Sequence, residues 1–347
     1  MDATDLDGAT AELAALAAKL PKGGLGAYAR VHAGLVMLVA LETINTRQED
    51  DPLPVLRKAL GEAKGVVSSA LSIAPELDAS RSSAEKVEIG VGHTIDLFEN
   101  AWTTYSRETY DHSVRLVEER LRRSGFDGGY FKGKTCFDGG CGTGRLSVAM
   151  AKMGAEKVTA VDLGTESLDY MRDVVKRLGL KDIEIVARDV TDLSAWDDGT
   201  YDFVASNGVL HHTKACDRGI VEHFRITKPG GIFWAYLYGA GGLYWRQYDA
   251  LKPMVVDIRP ADIRRILSAF GVREGLIYTY LDNFLAPRVY YLLTDFLDLL
   301  KRHGDFTWRH AKGRSEIDDT ELLLKTAYGP VIYGPQGEVR VVIQKNA

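Results

Sequence analysis

Thr135-Cys-Phe-Asp-Gly-Gly-Cys-Gly-Thr-Gly144 is the stretch from which the rest of the chain can be read. A short apolar run ends at Asp138. Glycines follow at 140, 142 and 144, and Leu146-Ser-Val-Ala-Met-Ala-Lys-Met153 then reads as a helix. Glycine serves where the backbone takes a positive φ or lies against a ligand. A helix start presents free N–H groups to a polar or anionic group. The stretch therefore predicts a cofactor loop at the carboxyl end of a first parallel strand. Its G-x-G-x-G spacing differs from the dinucleotide fingerprint G-x-G-x-x-G, and no Gly-Lys-Ser/Thr follows as in a Walker loop.

The downstream order extends this reading. Lys157-Val-Thr-Ala-Val-Asp162 is a second strand, closed by an acid eighteen residues after Gly144. An acid there can accept hydrogen bonds from ribose hydroxyls. Ile183 to Asp189 is a third strand, again ending in an acid, and Asp202 to Gly208 a fourth. Lys228-Pro-Gly-Gly231 turns into a fifth strand, Ile232 to Tyr238. Helical segments lie between, near Glu166 to Leu178 and Asp217 to Thr227. This alternation predicts an α/β fold with a doubly wound parallel sheet. Strands return near Tyr328-Gly-Pro-Val-Ile-Tyr333 and Gly337 to Gln344. The Gly334-Pro-Gln-Gly337 turn makes them a hairpin in prospect, strands six and seven, with seven antiparallel. The expected whole is a seven-stranded, mostly parallel, Rossmann-like sheet.

Phe137-Asp-Gly-Gly-Cys-Gly-Thr-Gly144, Asp162, Asp189-Val190, Asn207-Gly-Val-Leu-His-His212 and Lys228-Pro-Gly-Gly231 together resemble the motif series of class I S-adenosylmethionine-dependent methyltransferases. The likeness is to the small-molecule branch and covers about Cys136 to Tyr238, less than a third of the chain. It implies S-adenosyl-L-methionine as cofactor. It places Asp138 and Gly140, Gly142 and Gly144 along the methionine part, Asp162 with Leu163 at the ribose, Asp189 and Val190 beside adenine, and Asn207 and Gly208 facing the methionine and sulfonium. Gly139 departs from the family, which more often has a bulky apolar residue there.

The chain has 347 residues, enough for a large core and two structural units. Its net charge of −5 gives no reason to expect nucleic acid, whose binders usually carry a basic face. Cys136, Cys141 and Cys216 show no metal spacing and cannot all pair, which suits a reducing cytoplasm. The acidic start has no basic n-region, and no apolar run approaches the roughly 20 residues of a membrane span. No metal and no membrane partner are expected.

Residues 1–90 read as a helical bundle: Ala11 to Leu20, Leu25 to Ile44, and a helix opening at Asp51-Pro-Leu-Pro. Internal packing or a homodimer contact is the expected use. Residues 91–238 and 328–347 form the expected cofactor-binding core. Phe98, Trp102 and Tyr105 share one helical face, either core or a lid over the cofactor. Residues 239–327, after strand five, are an aromatic and helical insertion, the size of a lid or substrate pocket. Trp245, Arg246, Asn283, Arg288 and nearby tyrosines would line it, an arginine fixing a substrate carboxylate and an aromatic ring facing the sulfonium.

Methyl transfer from a sulfonium asks the protein to position the acceptor and exclude water. A base is needed only for a protonated nucleophile. Tyr105, Tyr110 and His211 are the candidate catalytic residues. The phenols could reach a carboxylate or polarise a nucleophile, and a histidine titrates near neutrality. Against this, the His211-His212 pair in the family caps a helix or contacts cofactor, and two histidines alone make no metal site. His303, Asp305 and Trp308-Arg-His310 read as solvated loop.

These features point to a methyltransferase acting on a small metabolite, with one bearing a carboxylate or an amine as the expected acceptor. A second reading has the cofactor's own aminobutyl group cyclise, to azetidine-2-carboxylate for example, with release of methylthioadenosine. A third is a non-enzymatic cofactor-binding subunit.

Overall fold

The computed structural model describes residues 3–47, 50–77, 107–127, 129–313 and 316–347. Phe98, Trp102 and Tyr105 lie outside them. The chain forms two units, each drawn from several segments. One comprises Met1–Leu97, Gly241–Ala286 and Thr326–Pro335, the other Phe98–Ala240, Pro287–Lys325 and Gln336–Ala347.

The second unit holds the sheet. Its strands are β1 (Thr135–Gly139), β2 (Lys157–Asp162), β3 (Ile183–Ala187), β4 (Tyr201–Asn207), β5 (Thr227–Leu237), β6 (Phe306–His310) and β7 (Val339–Lys345), in the order β3-β2-β1-β4-β5-β7-β6. The first five run parallel, and β7 is antiparallel to both neighbours. Parallel strands buried on both faces need apolar residues on both, and Val158, Ala160 and Val161 of β2 are fully buried. The chain order reverses between β1 and β4, where open α/β sheets leave a crevice for ligands.

Helices cover both faces. Helix α4 (Arg107–Arg123) and α5 (Arg145–Lys152) bury Val114, Val117, Leu121 and Val148 against Phe203, Trp234 and Val342. On the other face α7 (Cys216–Ile226) and α11 (Leu293–Lys301) bury Ile220, Phe224, Phe296 and Leu300 against Phe137 and Phe233. Between these pairs in the chain, α6 (Thr165–Leu178) sets Leu168 and Met171 on Ala160.

The first unit is helical. It combines α1 (Ala3–Ala17), α2 (Gly24–Thr46) and α3 (Pro52–Leu77) with α8 (Leu243–Leu251), α9 (Pro260–Ala269), α10 (Glu274–Leu285) and α12 (Gly329–Tyr333). Its polar interior is paired. The Arg30 guanidinium donates to Asp257 Oδ1 at 2.6 Å and to the Met254 carbonyl at 3.2 Å. Tyr244 donates to Glu42 at 2.6 Å and accepts from the Asn283 amide at 3.1 Å.

Four expectations are corrected. Residues 239–327 are not one insertion: 241–286 join the helical unit and 287–325 the sheet unit. Tyr328 to Tyr333 is not strand six, because Pro330 sits in the first turn of a short helix, where its fixed φ suits. Strand six is Phe306–His310, which read as solvated loop; it is an edge strand, and Trp308 on it is 41% exposed. Helix α2 is long and apolar enough by composition to span a membrane, contrary to the expectation that no run approaches that length. Most of it is buried within the fold.

Candidate functional site

The glycine loop joins β1 to α5 at the carboxyl end of the parallel strands. The Val161 carbonyl of β2 accepts the N–H groups of Gly140 and Cys141 at 2.8 and 3.0 Å. Gly142 has φ +51°, and a Cβ there would meet no atom within 4 Å. The loop is thus open at Gly142 and closed at Gly140, where a Cβ would overlap Val209. That difference marks where a ligand can lie against the backbone.

Two carboxylates brace the loop. Asp162 closes β2; its Oδ2 accepts the Gly142 N–H at 2.8 Å and its Oδ1 the Gly164 N–H at 2.9 Å. Burial raises its pKa, and these amide donors pull the other way. Asp138 closes β1 and is 2% exposed. Ser147 donates to its Oδ2 at 2.6 Å, and burial pushes the carboxyl up to about 6. Tyr110 of α4 is fully buried and donates to the Thr143 carbonyl at 2.9 Å. Burial raises its pKa, so it remains a phenol that braces the loop.

Gly139 meets a partner that sequence reasoning missed. A Cβ on Gly139 would overlap the imidazole of His223, on α7. His223 is fully buried, and its Nδ1 lies 2.7 Å from the Gly219 carbonyl. Burial lowers its pKa to about 4, so it is a neutral filler of the space that the family's bulkier residue would take.

The remaining candidates spread along the strand ends. Asp189 Oδ1 accepts the Thr191 N–H and hydroxyl, both at 2.8 Å, shaping the turn after β3. Val190 is core, packed with Leu193 and Leu210, whereas Leu163 is 42% exposed. Asn207 Oδ1 accepts from Arg120 at 3.3 Å, and Gly208, at φ +78°, donates its N–H to the Tyr236 carbonyl at 3.1 Å. His211 is fully buried, its ring centroid 3.8 Å from that of Tyr238, and burial holds it neutral. Neither of its ring nitrogens has a partner among the described residues. His212 Nδ1 lies 2.8 Å from the Pro287 carbonyl.

A cavity of about 230 Å³ opens beside the loop. Among the described residues it brings Asp138, Gly140 and Asn207 together with Arg120 and Arg145, which the sequence reading did not single out. His211 and Tyr110 are not among its lining residues. The expected aromatic pocket does not form as one site. Trp245 and Asn283 belong to the helical unit, where Tyr244, Tyr248 and Phe284 stack as core, and Arg288 belongs to the sheet unit, donating to Tyr290 at 2.7 Å.

A switch-point crevice carrying a glycine loop open at one residue, with an acid at the end of the next strand, defines an α/β protein built to hold a nucleoside cofactor. Comparison with known proteins makes the class specific. The "Methyltransferase domain" family matches residues 137–235. The ubiquinone biosynthesis O-methyltransferase of Paraburkholderia xenovorans (strain LB400) is 37% identical over 172 residues, 44% of this chain and 72% of that protein. The enzyme of the same description from Bordetella avium (strain 197N) is 36% identical over 110 residues, 31% of this chain and 45% of that protein. The malonyl-[acyl-carrier protein] O-methyltransferase of Yersinia pestis is 30% identical over 152 residues, 42% of this chain and 54% of that protein. The chain thus spans about half the length of the latter two. It belongs to the class I S-adenosylmethionine-dependent methyltransferase family, whose cofactor is S-adenosyl-L-methionine.

The residues present fit that cofactor. The open face of Gly142 would give it backbone to lie against, and the half-buried Asp162 would offer an acceptor for its ribose. When bound, it supplies a methyl group already activated on a sulfonium. Asp138, which lines the cavity, would take the methionine ammonium.

Proposed function

We propose that the chain is a methyltransferase acting on a small-molecule acceptor. One observation carries the reading: Gly142 is open to ligand while its N–H is held by Asp162, at the carboxyl end of β2, in a loop whose Gly140 and Cys141 line a cavity. An acceptor atom takes the methyl carbon as the carbon–sulfur bond breaks, and the bonding pair stays on sulfur. A proton on the acceptor leaves to solvent or to a nearby base. Neither candidate is placed as that base: the Tyr110 hydroxyl is committed to Thr143, and His211 is fully buried and does not line the cavity. The protein's main contribution is then positioning and exclusion of water.

The test is mass spectrometry of the purified chain with S-adenosylmethionine, first alone and then with mixtures of small acceptors. S-Adenosylhomocysteine formed only with acceptor supports methyl transfer. Methylthioadenosine formed without acceptor would replace this reading by aminobutyl cyclisation. Binding without turnover across a broad acceptor set would favour a non-enzymatic subunit.

A further inference from the structure

The cavity beside the glycine loop has a second end. Asp138, Gly140 and Cys141 line the end at the loop; Arg120 of α4 and Arg340 of β7 line it farther along the sheet. In sheet order β7 is the third strand from β1, its backbone about 14 Å away, but the Arg340 guanidinium lies back over Tyr236 of β5, two strand spacings or about 10 Å from β1. The guanidinium thus lies at the end of the cavity away from the glycine loop.

The two guanidinium groups lie over neighbouring aromatic rings of β5. Arg340 and Tyr236 are cross-strand partners, and the Arg340 Cζ lies 4.4 Å from the Tyr236 ring centroid. Its Nη1 donates to the Asp318 carbonyl at 3.2 Å, and its Nε is buried with no acceptor among the described residues. The Arg120 Cζ lies 5.9 Å from the Trp234 ring centroid, on the same face of β5, and its Nη1 donates to Asn207 at 3.3 Å. Glu338 and Asp318 offset part of the Arg340 charge, but the cavity wall itself carries three arginines, with Arg145, against two aspartates.

Setting cations side by side in a part-buried wall costs desolvation and repulsion, which an anionic ligand relieves. The planar fork of arginine matches a carboxylate or phosphate, and the aromatic rings beneath fix its orientation. We propose that Arg120 and Arg340 are the oxyanion-binding end of the acceptor pocket, so that the acceptor carries a carboxylate or phosphate group. This rests on the methyltransferase reading above and names the acceptor class for that same site. Arg340 is then a specificity residue: it holds the acceptor's anionic end and leaves the other end toward the cofactor.

The test is calorimetry on the full chain loaded with S-adenosylhomocysteine, titrated with succinate and, separately, with inorganic phosphate. At least one probe should bind in the millimolar range or tighter. Arg340→Gln and Arg120→Gln should each weaken it about tenfold or more, as loss of a charged hydrogen bond implies. Arg340→Lys should restore part of the loss, and S-adenosylhomocysteine affinity should stay unchanged in both Arg340 variants. Succinate binding alone assigns a carboxylate acceptor, phosphate binding alone a phosphorylated one. If neither probe binds the loaded wild type, or both variants bind like wild type, the proposal fails. It fails too if Arg340→Gln loses S-adenosylhomocysteine in equal measure, since the arginine would then serve the cofactor. Thermal melts report whether Arg340→Gln folds; if it does not, Arg120→Gln and Arg340→Lys carry the test. A wild type that binds no S-adenosylhomocysteine overturns the cofactor reading instead, and succinate binding to that chain, lost in Arg340→Gln, would still support the oxyanion site.

Discussion

The carboxylate of Asp162 accepts the backbone N–H of Gly142 at 2.8 Å, so the acid at the end of β2 holds the residue at which the loop is open. One side chain thereby shapes the loop and offers an acceptor to the cofactor. Asp162→Ala leaves the Gly142 amide without that acceptor and removes the ribose contact. Calorimetry should show S-adenosylmethionine affinity falling roughly tenfold or more. Unchanged affinity would take the ribose off Asp162.

Gly142 itself offers a second test. Gly142→Ala meets no atom, so its structural cost is confined to the left-handed backbone, about 1 kcal/mol. The added methyl points into the open space instead. The variant should melt close to wild type and bind S-adenosylmethionine much more weakly. A variant that binds normally would place the cofactor elsewhere.

Gly139 and His223 form a size-matched pair. Gly139→Ala should destabilise the fold by about 1–3 kcal/mol through overpacking. Combined with His223→Ala, the new methyl enters vacated space. The double variant should then lose less than the two single losses added together, measured by denaturant unfolding as a double-mutant cycle. Simple additivity would show that the two do not compete for one volume.

Asp138 gives the site a pH dependence. Its folded pKa, about 6, lies above its ordinary value of 3.8 because of burial. Its contribution to stability is therefore complete below the unfolded pKa and is lost as pH rises through about 6. The loss is at most about 3 kcal/mol. Asp138→Asn, which can still accept from Ser147, should flatten the unfolding free energy between pH 4 and 6. Cofactor affinity should run the other way, falling in the wild type as pH drops below about 6, because the ionised carboxylate favours the methionine ammonium. Parallel pH curves for the two proteins would rule out Asp138 as the titrating group.

What the sequence made legible is local. Asp138, Asp162 and Asp189 could be placed at strand ends because each closes a short apolar run next to turn residues, and such runs take their form from neighbours in sequence. Arg340 was not legible. It is one charge in an apolar run, Val339-Arg-Val-Val-Ile343, and only the antiparallel pairing of β7 with β5 sets it over Tyr236. Arg120, among Arg122 and Arg123 in the last turn of its helix, reads as a complement to the helix dipole. The misplacement of strand six has the same origin. Val331-Ile-Tyr333 has strand propensity but folds as helix, and Phe306–His310 has charges suited to a loop yet pairs along the edge of β7.

The helical unit is written in three pieces, the first ending at Leu97 and the second beginning at Gly241. During synthesis α1, α2 and α3 leave the ribosome about 160 residues ahead of Gly241, where the next segment of their unit begins. At 5–20 residues per second they wait roughly 8 to 30 s with apolar faces uncovered. The sheet's first five strands are made within that interval. The order of birth thus gives the cofactor loop and the parallel strands a head start, while both units wait for the end of the chain: the helical one for Thr326–Pro335, the sheet one for Gln336–Ala347, which carries β7.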